Sequence, residues 1–246
     1  MPELPEVQTI ADDLNKKVLG RKIIKVWLDW PKLINLLENK RGVLKLIKKP
    51  ALKDFEKIIK SKKILKVHRR AKNILIDLAD DYMMLVHQKM TGHLLVGKWS
   101  IRKAQPSPRD SGARGIRKRP YEYEYGKERV VALEPQSIVS DPYNRFIHVI
   151  FYLSDPYNRF IHVIFYLSDG NMLALSDMRK FAKIILGKRE DLENLPELKE
   201  LGPEPLDPSF KVDKFISLIS PKTGKIKQVL MDQKVISGIG NIYSDD

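Results

Sequence analysis

Along the first twenty residues Val7, Ile10, Leu14 and Val18 recur at spacings of three and four, which places one apolar stripe along a helix. Pro5 suits the first turn, where its missing N–H would have no helical partner, and Glu6 faces the positive end of the helix dipole. The spacing predicts a helix from Pro5 that ends near Gly20. After it the period becomes that of strands. KIIKVWLDW, the apolar cluster from Val43 to Ile47, and ILIDLADDYMMLVHQ read as strands, the last folding back as a hairpin at Asp80 and Asp81. A short helix fits Leu52 to Ile59.

Between about 98 and 140 the pattern breaks. SPRDSGARGIRKRPYEYEYGKER is rich in turn formers and charge, shows no steady period, and reads as a mobile basic insertion. A solvated loop and a nucleic-acid contact fit it equally. The 14 residues DPYNRFIHVIFYLS at 141–154 then recur unchanged at 155–168. Two identical copies do not make a solenoid, so an in-frame duplication or a gene-assembly error is the expected origin. Only the second copy leads through Asp169-Gly170 into NMLALSD, and closing a shorter loop costs less entropy, so that copy is expected in the sheet interior. Residues 187–208, charged and proline-bearing, read as a linker with one short helix. Beyond them Phe210, Phe215, Ile216 and Ile219 suit one helix, and Ile226, Val229 and Leu230 another. The turn in SGIGNIY offers backbone N–H groups that can hold a phosphate, a weak signal taken alone.

Composition narrows the partners. Lys and Arg number 45 against 31 Asp and Glu, a net charge of +14 spread along 246 residues, so a polyanion is the first partner expected. No apolar run approaches the length of a membrane span, no basic amphipathic helix sits at a terminus, and no signal peptide precedes the first helix. A cytoplasmic protein without a membrane partner is expected. With no cysteine, disulfides and thiolate metal sites are excluded, and no metal ligand set stands out.

The helix start explains Pro5 and Glu6 and leaves Pro2 and Glu3 without a reason. A small second residue exposes Met1 to removal, so the processed chain is expected to begin with a secondary amine beside a carboxylate. An α-amino group has a reference pKa of about 7.7–8.0, so a useful fraction is a free nucleophile near neutrality.

PELPEV, HRRAKNILIDL, HQKMTGHL, SDMRKF and MDQKVISGIGNIY, in this order, resemble the bacterial formamidopyrimidine-DNA glycosylases, the Fpg or MutM enzymes. Leu4 and the Met, Arg, Phe set below favour this branch over the endonuclease VIII branch. The expected fold is α+β: an N-terminal β-sandwich with a flanking helix over 1–186, a linker over 187–208, and an incomplete helix–two-turn–helix module over 209–246. The resemblance implies that the Pro2 amine attacks a damaged nucleotide's sugar, that Glu3 is its acid–base partner, and that Lys72 transfers protons and contacts substrate. Met90, Arg179 and Phe181 match residues that fill the gap left by an extruded nucleotide. His87, His162, Lys222, Lys227 and Asn241 match positions that contact DNA phosphates.

It further implies a monomeric base-excision-repair glycosylase and abasic-site lyase, acting on double-stranded DNA that contains oxidised purines, such as 8-oxoguanine and formamidopyrimidines, or abasic sites. The family continues past GNIY with the rest of its helical module and a four-cysteine zinc finger. Neither is in this sequence, so a C-terminally truncated member without a cofactor is expected. A non-catalytic damaged-DNA binder is the alternative. A basic RNA-binding protein fits the charge but gives no reason for PELPEV.

Overall fold

The computed structural model describes residues 2–103, 122–125, 128–132 and 160–245. The first copy of the repeat, with His148, and most of the segment between 98 and 140 lie outside the described residues. Helix α1, Leu4–Val18, begins one residue before the predicted start, with Glu3 at its N-cap. Glu6 reaches back to accept the Glu3 N–H at 2.9 Å, satisfying a donor that a helix start leaves open. The strands are β1 Ile23–Leu28, β2 Ile34–Lys40, β3 Val43–Lys48, β4 Ile64–Arg70, β5 Asn73–Leu78, β6 Tyr82–His87, β7 Gly92–Gly97, β8 Trp99–Lys103, β9 Glu122–Tyr125, β10 Glu128–Ala132, β11 Ile161–Leu167, β12 Met172–Asp177 and β13 Lys183–Lys188. Helix α2, Leu52–Ile59, lies where the pattern predicts it.

Two sheets face each other, a six-stranded one ordered β3-β2-β13-β6-β5-β4 and a four-stranded one ordered β1-β11-β12-β7. Only the β13–β2 pairing within them is parallel. Ile74, Ile76, Met84, Val86 and Ile184 from one sheet meet Val26, Val163, Phe165, Leu173 and Leu175 from the other, and the α1 stripe of Val7, Ile10, Leu14 and Val18 closes the same core beside β4. The chain is therefore α+β with a sandwich core. The hairpin joining β5 to β6 turns where expected, with Asp80 at φ 61° and Asp81 at φ 58°, a left-handed conformation that aspartate tolerates.

The second repeat copy supplies β11, between β1 and β12 in the sheet interior, and Gly170 at φ +83° makes the turn into β12. This is the place that loop closure predicts for it.

Two segments differ from their sequence readings. Between 98 and 140, where no period was expected, β8, β10 and β9 form a three-stranded antiparallel sheet. The YEYEY alternation is a strand period, hidden by the charged turn formers around it. Trp99 at the start of β8 is buried with Leu95, Ile161 and Ile164 on the outer face of the four-stranded sheet.

The second difference lies in 187–208, which is no open linker. It forms helix α3, Arg189–Glu193, and helix α4, Pro196–Lys199. Leu192, Leu195 and Leu198 from these turns pack on Leu75, Met83, Leu85 and Ile185, covering the outer face of the six-stranded sheet. Both faces of β5 and β6 are thus buried, which is why those strands read as continuous apolar runs. Gly187 permits the approach, since a Cβ there would come within 2.9 Å of the Leu37 Cβ. Helix α5, Val212–Ile219, and helix α6, Ile226–Met231, follow, and pack with Phe210, Val235 and Ile236 into a small core of their own.

Leu192 is fully buried, so Leu192→Ala is expected to cost roughly 2–5 kcal/mol and to lower the melting temperature by several degrees. Calorimetry checks this, and a near-neutral result would mean that the segment behaves as the linker its composition suggests.

Candidate functional site

The N-terminus and the last turn of the chain meet. Glu3 is only 3% exposed. Its Oε2 accepts the Gly240 N–H at 2.7 Å and the Tyr243 N–H at 3.4 Å, and its Oε1 accepts the Ile242 N–H at 2.9 Å. Beside it the Leu4 N–H donates to the Gly238 carbonyl at 3.1 Å. Three of the backbone donors in SGIGNIY are therefore occupied by the chain's own carboxylate. Two glycines make this possible. A Cβ at Gly240 would lie 2.4 Å from Glu3 Oε1, and Gly238, at φ +93°, passes so close to Leu4 that a Cβ would meet its Cδ1 at 2.4 Å. Gln233 braces the turn, accepting the Gly238 N–H at 2.9 Å and donating to the Ile239 carbonyl at 2.8 Å.

Lys72 comes to the same turn from the β4–β5 hairpin. Its ammonium donates to the Ile239 carbonyl at 2.7 Å, and the residue is 8% exposed. Burial holds its pKa below the ordinary lysine value, against the opposing pull of Glu3. Pro2, half-buried, precedes Glu3. From this junction opens a cleft of about 770 Å³ whose lining includes Lys72, His87, Lys89, Lys183, Lys234 and Asn241. His87 accepts the Lys89 N–H on Nδ1 at 3.0 Å, so a neutral ring carries its hydrogen on Nε2. Burial, with Lys89, Lys183 and Lys72 adding to it, lowers the His87 pKa to about 4. At neutral pH it is an uncharged donor in a cationic cleft.

Met90, Arg179 and Phe181 come together on two adjacent turns, β6–β7 and β12–β13. Met90 is 53% and Phe181 55% exposed, unusual for such side chains. The Arg179 guanidinium lies 4.8 Å from the centre of the Phe181 ring, and its Nη1 donates to the Met90 sulfur at 3.0 Å. Asp177, fully buried, ties both turns: its carboxylate accepts the Thr91 hydroxyl, the Arg179 N–H at 3.2 Å and the Ala182 N–H at 2.6 Å. The result is an apolar and cationic prominence on a rigid base.

His162 departs from the expected phosphate-contacting position. It is buried, with Nδ1 3.1 Å from Asp29 Oδ2 and Nε2 3.1 Å from the Asp177 carbonyl, so it braces the turn under Arg179. The strand register is irregular between Ile161 and Val163, so position 162 leaves the simple alternation of β11 and its ring meets two acceptors. Lys222 and Asn241 are exposed, and Lys227 pairs with Asp245. Asp177, Asp29 and Gln233 were not singled out from the sequence; each acts through contacts distant in the chain or through backbone groups, and neither leaves a motif. Among the described residues no group of three or more histidine, aspartate or glutamate side chains converges to hold a metal, and no helix is long and apolar enough to cross a membrane.

Comparison with known proteins fits this geometry. The family model of the formamidopyrimidine-DNA glycosylase N-terminal domain matches residues 1–184, and that of the H2TH domain of the same enzymes matches residues 201–246. The formamidopyrimidine-DNA glycosylase of Pelotomaculum thermopropionicum is 33% identical over 246 residues, and that of Moorella thermoacetica 29% identical; in each case the alignment covers all of this chain and 65% of the relative. The chain thus spans about 65% of the length of these curated relatives. Among solved structures, a complex between Lactococcus lactis Fpg and abasic-site-containing DNA is similar with a TM-score of 0.63 at 21% identity, over 99% of this chain and 64% of that one. A complex of the same enzyme with DNA containing N7-benzyl-Fapy-dG gives a TM-score of 0.63 at 21% identity, over 99% and 65% of the two chains. At that identity the likeness speaks to the fold, while the two family models together cover nearly the whole chain in the order that the N-terminal and SGIGNIY motifs require. The chain belongs to the formamidopyrimidine-DNA glycosylase family.

Proposed function

We propose that this chain excises oxidised purines, such as 8-oxoguanine and formamidopyrimidines, from double-stranded DNA and cleaves the resulting abasic site, working as a monomer in the cytoplasm. The observation that carries the reading is the junction of Glu3 with the 238–243 turn, with Lys72 beside it and Pro2 at its edge. It supports a reading in which the amine that loss of Met1 frees on Pro2 acts beside the Glu3 carboxylate and a lysine of lowered pKa that lines the cleft. Perturbed groups clustered in a cleft are a mark of catalysis more than of packing.

The Pro2 nitrogen, in its neutral form, attacks C1′ of the damaged nucleotide. A C1′–N bond forms, and the bond from C1′ to the base breaks with its electron pair leaving on the base. Glu3 takes the proton that the Pro2 nitrogen sheds after attack and passes it to the ring oxygen as the sugar opens, while the departing base takes its proton from solvent. The iminium so formed acidifies the C2′ hydrogen, and its loss expels the 3′ phosphate, after which a second elimination releases the 5′ phosphate. Lys72 sits where it can relay these protons and contact the substrate. Turning the nucleotide out of the stack costs a few kcal/mol, and the exposed Met90 and Phe181 are suited to replace the lost stacking while Arg179 hydrogen-bonds the orphaned base. The sequence contains no cysteine, so its residues do not fit a four-cysteine zinc site, and no step runs through a metal. A second reading is a binder of damaged DNA without turnover, which the exposed Met90, Arg179 and Phe181 prominence would serve without any nucleophile.

Borohydride trapping on abasic DNA decides between the two readings, because only a nucleophilic amine gives a reducible adduct. The chain is expected to trap, and Pro2→Gly to abolish or severely reduce it. Glu3→Gln is expected to slow base excision by about 100-fold or more while DNA affinity stays within a few-fold. Absence of any adduct from the unaltered chain would leave only the binding function.

Met90→Ala and Phe181→Ala are expected to slow excision from duplex DNA by roughly tenfold each, equivalent to about 1.4 kcal/mol of lost stacking. Cleavage at a preformed abasic site should be largely spared, and equal losses on both substrates would contradict a wedge role.

Because His87 titrates near 4 when folded and near 6.5 when unfolded, the unfolded chain takes up the proton first as pH falls. Stability is expected to be flat with respect to His87 above pH 6.5 and to decline from about 6.5 to about 4, and denaturant titrations of His87→Gln should show a weaker decline.

A further inference from the structure

Lys72 leaves the β4–β5 hairpin through the two-residue turn Ala71-Lys72, between the paired Arg70 and Asn73. Ala71 sits at φ 51°, in the left-handed region that a residue with a Cβ enters at a cost. Within the hairpin, Arg69 Nη1 donates to the Ala71 carbonyl at 3.2 Å. A further hold comes from Glu204, in the segment Gly202-Pro203-Glu204-Pro205 that leads into the helical module.

Glu204 Oε1 accepts the Ala71 N–H at 2.6 Å and Arg70 Nη1 at 2.8 Å, and Oε2 accepts Arg69 Nη1. Arg70 then reaches the rest of the module, donating through Nη2 to the Leu201 carbonyl at 2.8 Å and the Gly202 carbonyl at 2.9 Å, and through Nη1 to Ser237 Oγ at 3.1 Å. Ser237 immediately precedes the turn that holds Glu3. Burial pushes the Glu204 carboxyl up, and the Ala71 N–H with the Arg69 and Arg70 guanidiniums more than reverses it, leaving it below the usual carboxylate range. The carboxylate thus bridges the two modules at the turn that aims Lys72.

We propose that Glu204 is a positioning residue for Lys72: by gripping Ala71 and the two arginines it fixes the hairpin turn, so that the Lys72 ammonium stays against the Ile239 carbonyl and beside Glu3. The inference rests on the reading of Lys72 as part of the reactive site, but the placement itself can be measured without turnover. Prolines on either side of Glu204 restrict its backbone, which suits a residue that must present one fixed geometry. Because Glu204 bonds the Ala71 N–H directly, its loss is felt at Lys72 before it is felt in DNA affinity.

The experiment follows acetylation of Lys72 by acetic anhydride, read residue by residue by mass spectrometry, in the unaltered chain and in Glu204→Gln, with melting temperatures measured alongside. Lys72 is expected to react several-fold faster in the variant, with the other lysines of the cleft unchanged. An unchanged Lys72 rate overturns the proposal. Glu204→Asp, which keeps the charge but withdraws it by one methylene, is expected to act in the same direction and serves if Glu204→Gln loses its cooperative transition. In parallel, single-turnover excision is compared for Glu204→Gln, Lys72→Ala and the double variant at saturating DNA. The double variant is expected to be no slower than Lys72→Ala alone, and additive losses would show that Glu204 does not act through Lys72. If the unaltered chain fails to excise at all, the proposed function falls, while the acetylation rates still decide the role of Glu204.

Discussion

A buried carboxylate sitting among the backbone amides of a turn more than 230 residues away in the chain is the constraint on which the remainder of this site depends. Glu3 accepts hydrogen bonds from Gly240, Ile242 and Tyr243, and a carboxyl group so deeply buried would be costly without such donors. Seating it requires that nothing project from residues 238 and 240, hence the glycines. It requires the turn to be stiff, hence Gln233, whose side-chain amide spans it. With the turn in place the Ile239 carbonyl accepts from both Gln233 and Lys72. The first helix, the hairpin of the six-stranded sheet and the helical module are thereby referenced to one another at a single point.

A second carboxylate does similar work for the prominence. Asp177 gathers the Thr91 hydroxyl and the Arg179 and Ala182 backbone N–H groups, so the turn bearing Met90 and the turn bearing Arg179 and Phe181 cannot drift apart. His162, set between Asp29 and the Asp177 carbonyl, fixes that arrangement to the end of β1. Large apolar side chains that would otherwise belong in a core stay exposed because their backbones are held rigidly from below. The pattern is the same in both places: an interior acid organises backbone donors, and the groups suited to chemistry or insertion stand on the organised loop.

How the modules touch also explains the charge distribution. The cleft carries four lysines, yet Lys183 and Lys234 pair with Glu197 and Glu200 from the segment that packs on the sheet. That leaves Lys72 and Lys89 as the cleft lysines not paired with these two glutamates. A polyanion drawn in by the net charge of +14 would be led toward the Glu3 junction.

Much of this was legible in the sequence, and the division follows from range. The α1 stripe, α2, the β5–β6 hairpin, the placement of the second repeat copy and the helices of the last module all arise from local period and short connections, which one stretch of chain expresses by itself. The resemblance carried by PELPEV, HRRAKNILIDL and SGIGNIY likewise pointed to Glu3, Lys72, Met90, Arg179 and Phe181 as a set. Charge dilutes the period in YEYEY and around the leucines at 192, 195 and 198, so strand and helices read there as loop and linker; for the leucines, burial against the six-stranded sheet supplies the free energy that local preference does not. The functions of buried polar groups were not legible at all. That Glu3 would take the Gly240, Ile242 and Tyr243 amides, that His162 would face Asp29, that Asp177 would gather Thr91 and that Glu204 would hold Ala71 depended on which donors met which acceptors once the chain had closed. Hydrogen-bond partners at such separations leave no spacing to read, and only the tertiary structure could choose them.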